Sequence, residues 1–208
     1  MDGTLEKAQE SRPKLLINLG SGAKGGARLP AMFAGWRELR VDLDAAVQPD
    51  LLADISDLSG IESGSADAVW ASHCLEHICL HQVGGAIAEI YRILRDDGFL
   101  CVMVPDLQKV AEYIVQDRMH EVIYQSPAGP VTVHDMIYGY GAYLAQGRSG
   151  MAHRCGFTPG LMLRALRGAP FAEVVLRRRP NHELAAVASK RAPGGQEERE
   201  ALLAALEL

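Results

Sequence analysis

The sequence predicts an α/β chain whose sheet is mainly parallel and turns mixed near its C-terminal end. Three observations carry this. Short apolar runs alternate with segments of helical periodicity through residues 14–105, the pattern of successive βαβ units. The first run ends in a glycine loop, Gly20-Ser21-Gly22-Ala-Lys-Gly25. Near the end, the apolar runs Phe171–Arg178 and Glu183–Ser189 are separated only by a break at Pro180-Asn181. No crossover fits in so short a gap, so these two strands pair as a hairpin.

The elements are expected in this order. Lys14–Asn18 is a short run ended by glycines, as a buried parallel strand reads. A loop covers residues 20–26 and a helix follows to about Ala34. Glu38–Val41 is a second strand and Asp50–Asp54 a third; Asp67–Ala71 is a fourth. Apolar positions at helical spacing predict a helix from Leu75 to Leu94, stopped by Asp96-Asp97-Gly98. Phe99–Val104, nearly all apolar, is a fifth strand buried on both faces. Residues 1–12 are polar and read as a flexible N-terminus, and residues 13–190 as one domain. Its cofactor half spans about 14–105 and an insert about 106–157. Residues 191–208 read as a linker followed by a leucine- and alanine-rich helix, which packs on the body or self-associates.

Composition narrows the functional classes. The chain has 208 residues, enough for one full core, and a formal net charge of -5. So acidic a chain has no global field for nucleic acid. Cys74, Cys79, Cys101 and Cys155 form no CxxC pair and lie in apolar runs, which implies no disulfide framework and a reducing compartment. The N-terminus lacks an apolar signal region, and no apolar run approaches the roughly 20 residues of a membrane span. A cytoplasmic protein with no membrane partner is expected.

The glycine loop matches GxGxxG with a strand before it. Lacking Cβ atoms, its glycines let the backbone approach a ligand closely. An acidic residue about 20 positions on, at the end of the second strand, should accept hydrogen bonds from ribose hydroxyls. Asp42 stands there, with Asp44 as a nearby competitor. Together they point to an adenosine-containing cofactor; a tight turn without a ligand is the plain alternative.

Taken together, Leu16-Ile-Asn18-Leu-Gly20-Ser21-Gly22, Val41-Asp42, Ala53-Asp54, Asp67-Ala-Val-Trp-Ala-Ser72-His73-Cys-Leu-Glu76-His77 and Glu89-Ile-Tyr-Arg-Ile-Leu-Arg-Asp-Asp-Gly98-Phe-Leu resemble the class I S-adenosylmethionine-dependent methyltransferases. The similarity covers about residues 14–105, in order and at the right spacing. It is nearest to small, single-domain members of the type 11 kind, which act on acceptors other than nucleic acid. The resemblance implies a Rossmann-like, three-layer α/β/α fold with a mixed seven-stranded sheet in the order 3-2-1-4-5-7-6, the last strand antiparallel. It implies that Gly20, Ser21 and Gly22 meet the methionine part of S-adenosylmethionine. Asp42, with Leu43 beside it, would meet the ribose. Asp54 and the backbone of Ile55 would meet the adenine, and Ser72 and His73 would line the cofactor and face the acceptor. Asn18 departs from the pattern, since many relatives carry an acid there.

His73-Cys-Leu-Glu76-His77 also spells H-x-x-E-H, a zinc-hydrolase signature. That motif needs both histidines on one helical face, whereas the strand-like run before His73 puts it in a loop and His77 at a helix start. No metal is assigned. Glu76 suits a first helical turn and His81 an exposed helical position. A nicotinamide oxidoreductase would share the glycine loop and Asp42 but lacks an evident Tyr-x-x-x-Lys pair. Residues 106–157 hold Tyr113, Tyr124, Tyr138, Tyr140 and Tyr143 with His120 and His134, a composition that suits an acceptor lid, packing against the body, or a homodimer contact. His153 precedes a turn where Thr158 caps a helix with Pro159 at its first position. Arg177-Arg178-Arg179 reads as a solvated strand edge.

Methyl transfer needs alignment and exclusion of water, and a base only for some acceptors. His73, His134 and His153 are the candidate bases, with His73 first by position and His153 next. No Asn/Asp-Pro-Pro-Tyr motif follows the fourth strand, so the expected acceptor is a small metabolite or a sugar-like molecule rather than a nucleic acid. A non-catalytic binding module with the same fold is the alternative from another class.

Overall fold

A computed structural model describes residues 12–25 and 29–204. Nine strands and six α-helices are present among them. The strands are β1 (Leu15–Leu19), β2 (Arg37–Asp42), β3 (Leu51–Leu52), β4 (Ala66–Ser72), β5 (Leu94–Pro105), β6 (Val122–Ser126), β7 (Gly129–Thr132), β8 (Glu173–Arg179) and β9 (Glu183–Ser189). The helices are α1 (Leu80–Ile93), α2 (Leu107–Val115), α3 (Val133–Tyr138), α4 (Gly141–Ala145), α5 (Pro159–Leu166) and α6 (Gln196–Ala204).

Seven strands form one sheet in the order β3-β2-β1-β4-β5-β9-β8. Counted within that sheet, the order is the expected 3-2-1-4-5-7-6. β1 to β5 are parallel, and β9 inserts antiparallel between β5 and β8. The short β8–β9 turn forces this, because only antiparallel neighbours can be joined so tightly. The central strands bury both faces by alternation. On one face Ile17, Val69, Val102 and Ala186 pack with α1 and α5; on the other Leu16, Trp70, Cys101 and Ala185 pack with Phe33, Trp36 and Leu202 of α6.

α1 lays Val83, Ala86, Ile87, Ile90 and Ile93 on the sheet, a helical stripe in which each large aliphatic contributes about 1.5–3 kcal/mol. The second face is thinner. The helix expected up to Ala34 reduces, among the described residues, to one 3-10 turn at Ala31–Phe33; residues 26–28 lie outside the described residues. Pro30 precedes this turn and Gly35, at φ +80°, follows it, so the segment has neither the length nor the backbone for a longer helix. Aromatic rings fill the space instead: Phe33 meets Trp36 edge-on with centroids 5.2 Å apart and stacks on Phe99 at 6.3 Å.

The helix expected from Leu75 to Leu94 is also divided. A 3-10 turn covers Leu75–His77, Ile78 is extended, and α1 starts after Cys79. The side-chain carbonyl of Gln82 accepts from the Cys79 amide at 3.0 Å, an N-terminal cap that restarts the helix there. Residues 106–157 build a subsidiary layer from α2, the β6–β7 hairpin, α3 and α4, with a small core of Val110, Val131, Val133 and Met136. Most of the expected flexible N-terminus (residues 1–11) and residues 205–208 of the last helix lie outside the described residues. No described helix is long and apolar enough to cross a membrane.

Candidate functional site

The parallel strands put the glycine loop, the end of β2 and the end of β4 along one edge of the sheet. Ser21 is tied to the end of β2 by its amide, which donates to the Val41 carbonyl at 3.2 Å. Asp42, the last residue of β2, accepts from the Gly22 amide at 2.8 Å and from the Asp44 amide at 2.9 Å. Its carboxylate therefore clasps the loop while each oxygen keeps a further lone pair. Arg40, buried beneath, donates to the carbonyls of Gly22, Gln48 and Val47 and fixes the loop from below.

Gly20 and Gly22 hold φ of +62° and +61°. A Cβ on Gly20 would stand 2.7 Å from the Cβ of Cys74, so this glycine lets the turn after β4 press against the loop. A Cβ on Gly22 would meet nothing within 4 Å. The backbone there borders open space, as a cradle for a cofactor requires. Leu43, which follows Asp42 in the chain, is 60% exposed.

The remaining expected cofactor residues are placed as follows. Asn18 is buried and donates to Glu38 Oε1 at 2.7 Å, away from any free role. Asp54 accepts from the amide and hydroxyl of Ser56, ordering the turn that holds Ile55. Asp44, the nearby competitor, caps the 3-10 turn at Ala45–Val47 and faces Arg148 at 3.4 Å. Ser72 ends β4, half-buried, beside His73.

His73 lies in the loop after β4, as expected, at φ +51°, a strained value for a residue with a side chain. Its ring is held at both ends. Nδ1 is 3.3 Å from Glu76 Oε1 and Nε2 is 2.9 Å from Glu183 Oε1. Burial lowers the imidazole pKa, but hydrogen bonds and charge from Glu183 and Glu76 outweigh it and raise the value to about 10. Burial likewise penalises the Glu76 carboxylate, yet the hydrogen bond and charge of His73 hold its pKa below the ordinary value. His73 is therefore an imidazolium at neutral pH, held between Glu76 and Glu183.

Glu76 lies in a first helical turn as expected, that of the 3-10 turn Leu75–His77, but it is 1% exposed, and its side chain reaches His73. His77 sits in the same short turn rather than at the start of α1, and its Nδ1 contacts the Ala152 carbonyl at 3.2 Å. His153 Nδ1 contacts the Met136 carbonyl at 3.0 Å, and burial pushes its pKa down. Glu183 escaped the sequence reading. The one available signal was a charged residue opening Glu183–Ser189, a strand that is otherwise apolar and proves buried throughout.

The tyrosines divide between roles. Tyr140 donates to the Ala128 carbonyl, Tyr113 packs on His182, and Tyr143 lies under Arg148, whereas Tyr138 is 52% exposed. Of the arginine run, Arg178 pairs with buried Asp106 at 2.9 Å and Arg179 faces Glu183 at 3.8 Å, so these two are not simply solvated. His81 and His134 are exposed.

Residues 18–102 match the family model described as a methyltransferase domain. No curated protein sequence matches. Among solved structures, the chain is similar to the Burkholderia thailandensis 1,6-didemethyltoxoflavin N1-methyltransferase, solved with its substrate and S-adenosylhomocysteine. The identity is 21%, with 87% of this chain and 72% of that one covered and a TM-score of 0.53. It is also similar to an S-adenosylmethionine-dependent methyltransferase from Archaeoglobus fulgidus, at 11% identity, 86% coverage of each chain and a TM-score of 0.54. A Pyrococcus horikoshii protein aligns at 13% identity over 86% of this chain and 83% of its own, with a TM-score of 0.58. Residues 18–102 therefore match a methyltransferase domain, and the chain as a whole shares the fold of these solved structures.

Proposed function

We propose that the chain transfers a methyl group from S-adenosylmethionine to a small-molecule acceptor held beneath residues 106–157. The observation that carries this reading is the clasp of Asp42 on the Gly22 and Asp44 amides beside open space at the strand ends. Crevices at the carboxyl ends of parallel strands are where such sheets bind ligands. The sulfonium supplies an activated methyl group when bound. The chain's residues then have to grip the ribose through Asp42, shelter the adenine with Leu43 and the Asp54–Ile55 turn, and keep water out.

The insert supports a covering role. Arg148, packed on Tyr143, reaches back to Asp44 at the end of β2, so the segment spans from α4 to the cofactor edge. We assign His73 a positioning and electrostatic role rather than that of a base, because both ring nitrogens are engaged and the ring already holds its proton. An acceptor that arrives as a free amine or an anion suits this arrangement, since it needs no proton removed. The oxidoreductase alternative fits less well, because β9 lies antiparallel inside the sheet where dinucleotide-binding folds have a parallel strand.

The test is to incubate the protein and methyl-labelled S-adenosylmethionine with a cell extract and to separate the products by class. Label is expected in the low-mass fraction. Label confined to RNA, DNA or protein would contradict the acceptor assignment.

A further inference from the structure

Three side chains converge beside the turn that carries His73. One donor atom from each of Glu76, His77 and His153 lies within 4.8 Å of the other two. Glu76 spends Oε1 on His73, while its buried Oε2 has no hydrogen-bond partner. A carboxylate oxygen taken out of water with nothing to accept from is costly, and native proteins rarely leave one so.

The two histidines are prepared in a matching way. His77 donates from Nδ1 to the Ala152 carbonyl, and His153 donates from Nδ1 to the Met136 carbonyl. Those bonds fix the tautomer and leave the lone pair on Nε2. A backbone carbonyl on one ring nitrogen is the usual outer support of a histidine that binds metal with the other. The rings sit 4.9 Å apart and near perpendicular. The backbone around them is fixed independently, because the amides of Arg154 and Cys155 both donate to the Glu76 carbonyl.

We propose that Glu76 Oε2 and the Nε2 atoms of His77 and His153 form a binding site for a divalent transition metal, zinc by its ligand set. The ion would join the 152–155 loop to the turn after β4, and three protein ligands leave a further position for water or a substrate atom. His73 is not a ligand, since carboxylates occupy both its nitrogens. The site therefore differs from the H-x-x-E-H arrangement, which takes its histidines from positions 73 and 77: here the second histidine comes from the insert.

The test uses the full chain, stripped with a chelator and titrated with zinc and with cobalt alone, without cofactor. One equivalent should bind, with cobalt absorption bands of low coordination number and a higher melting temperature. His77→Ala and His153→Ala should each weaken zinc by more than about 100-fold, beyond the 10–100-fold that follows loss of an outer partner. His81→Ala and His134→Ala, at exposed positions, should leave zinc binding unchanged. X-ray absorption of the zinc-loaded wild type should count two imidazoles, a readout that survives if a variant misfolds. Absence of saturable binding, fewer than two imidazoles, or folded histidine variants that retain full affinity would each overturn the site. Because metal alone is the probe, that failure would leave the methyl-transfer reading standing.

Discussion

Nε2 of His73 lies 2.9 Å from Oε1 of Glu183, joining the loop after β4 to the first residue of β9. With Glu76 on the other nitrogen, the imidazole gains partners in the folded chain that it lacks when unfolded. In chelator-treated protein, Glu183→Gln should lower the His73 pKa from about 10 by roughly 1–3 units, the effect of losing one close opposite charge. Proton titration by NMR reads this directly; an unmoved His73 would contradict the coupling.

The same raised value sets a pH dependence of stability. A histidine whose folded pKa exceeds its unfolded value of about 6.5 stabilises fully below 6.5, and that contribution fades as pH rises through the folded value. The stability difference between wild type and Glu183→Gln should therefore be largest just below about pH 6.5 and shrink steadily as pH rises toward 10. Denaturant titrations at several pH values measure it, and a difference that grows with pH would contradict the ion cluster.

Gly20 and Gly22 share a left-handed backbone but not their surroundings, which separates strain from collision. Gly22→Ala should cost about 1–2 kcal/mol from the backbone alone. Gly20→Ala adds a Cβ that collides with Cys74 and should cost about 1–3 kcal/mol more. Equal losses in urea unfolding would show that the turn after β4 does not press on the loop.

Arg148→Ala should change global stability by less than about 1 kcal/mol, because its pair with Asp44 is long and partly exposed. Amide exchange in residues 139–152 should nevertheless quicken, since the segment loses its tie to the end of β2. Unchanged exchange there would remove Arg148 from the covering role.

Much of this architecture is legible in the residues. Lys14–Asn18, Asp67–Ala71 and Phe99–Val104 reveal themselves as strands by their apolar centres, whereas the order of the sheet is legible only through the family resemblance. Thr158 and Pro159 announce α5 because capping chemistry is local, and Thr158 does accept from the Leu161 amide. What failed depended on space. Motif context predicts a helix after the glycine loop, yet among the described residues Pro30 and Gly35 bound a single 3-10 turn, and Phe33 with Trp36 cover the sheet instead. The cofactor edge was visible through Asp42, which the chain brings to Gly22 across 20 positions. The His73–Glu183 contact spans 110 positions, and no spacing rule reports a contact made only when β9 inserts beside β5. His153 was singled out for the turn it precedes; its approach to His77 depends on how the insert folds back.

The most direct measurement is calorimetric titration of S-adenosylmethionine and S-adenosylhomocysteine into the wild type and Asp42→Ala, with NAD as control. Micromolar binding of the first two to the wild type, about -8 kcal/mol, with none to NAD and a loss of at least about tenfold in Asp42→Ala, is the predicted result. No binding of either sulfur compound to a folded wild-type chain, or equal affinity in Asp42→Ala, would contradict the assignment of the glycine loop and Asp42 as the cofactor cradle.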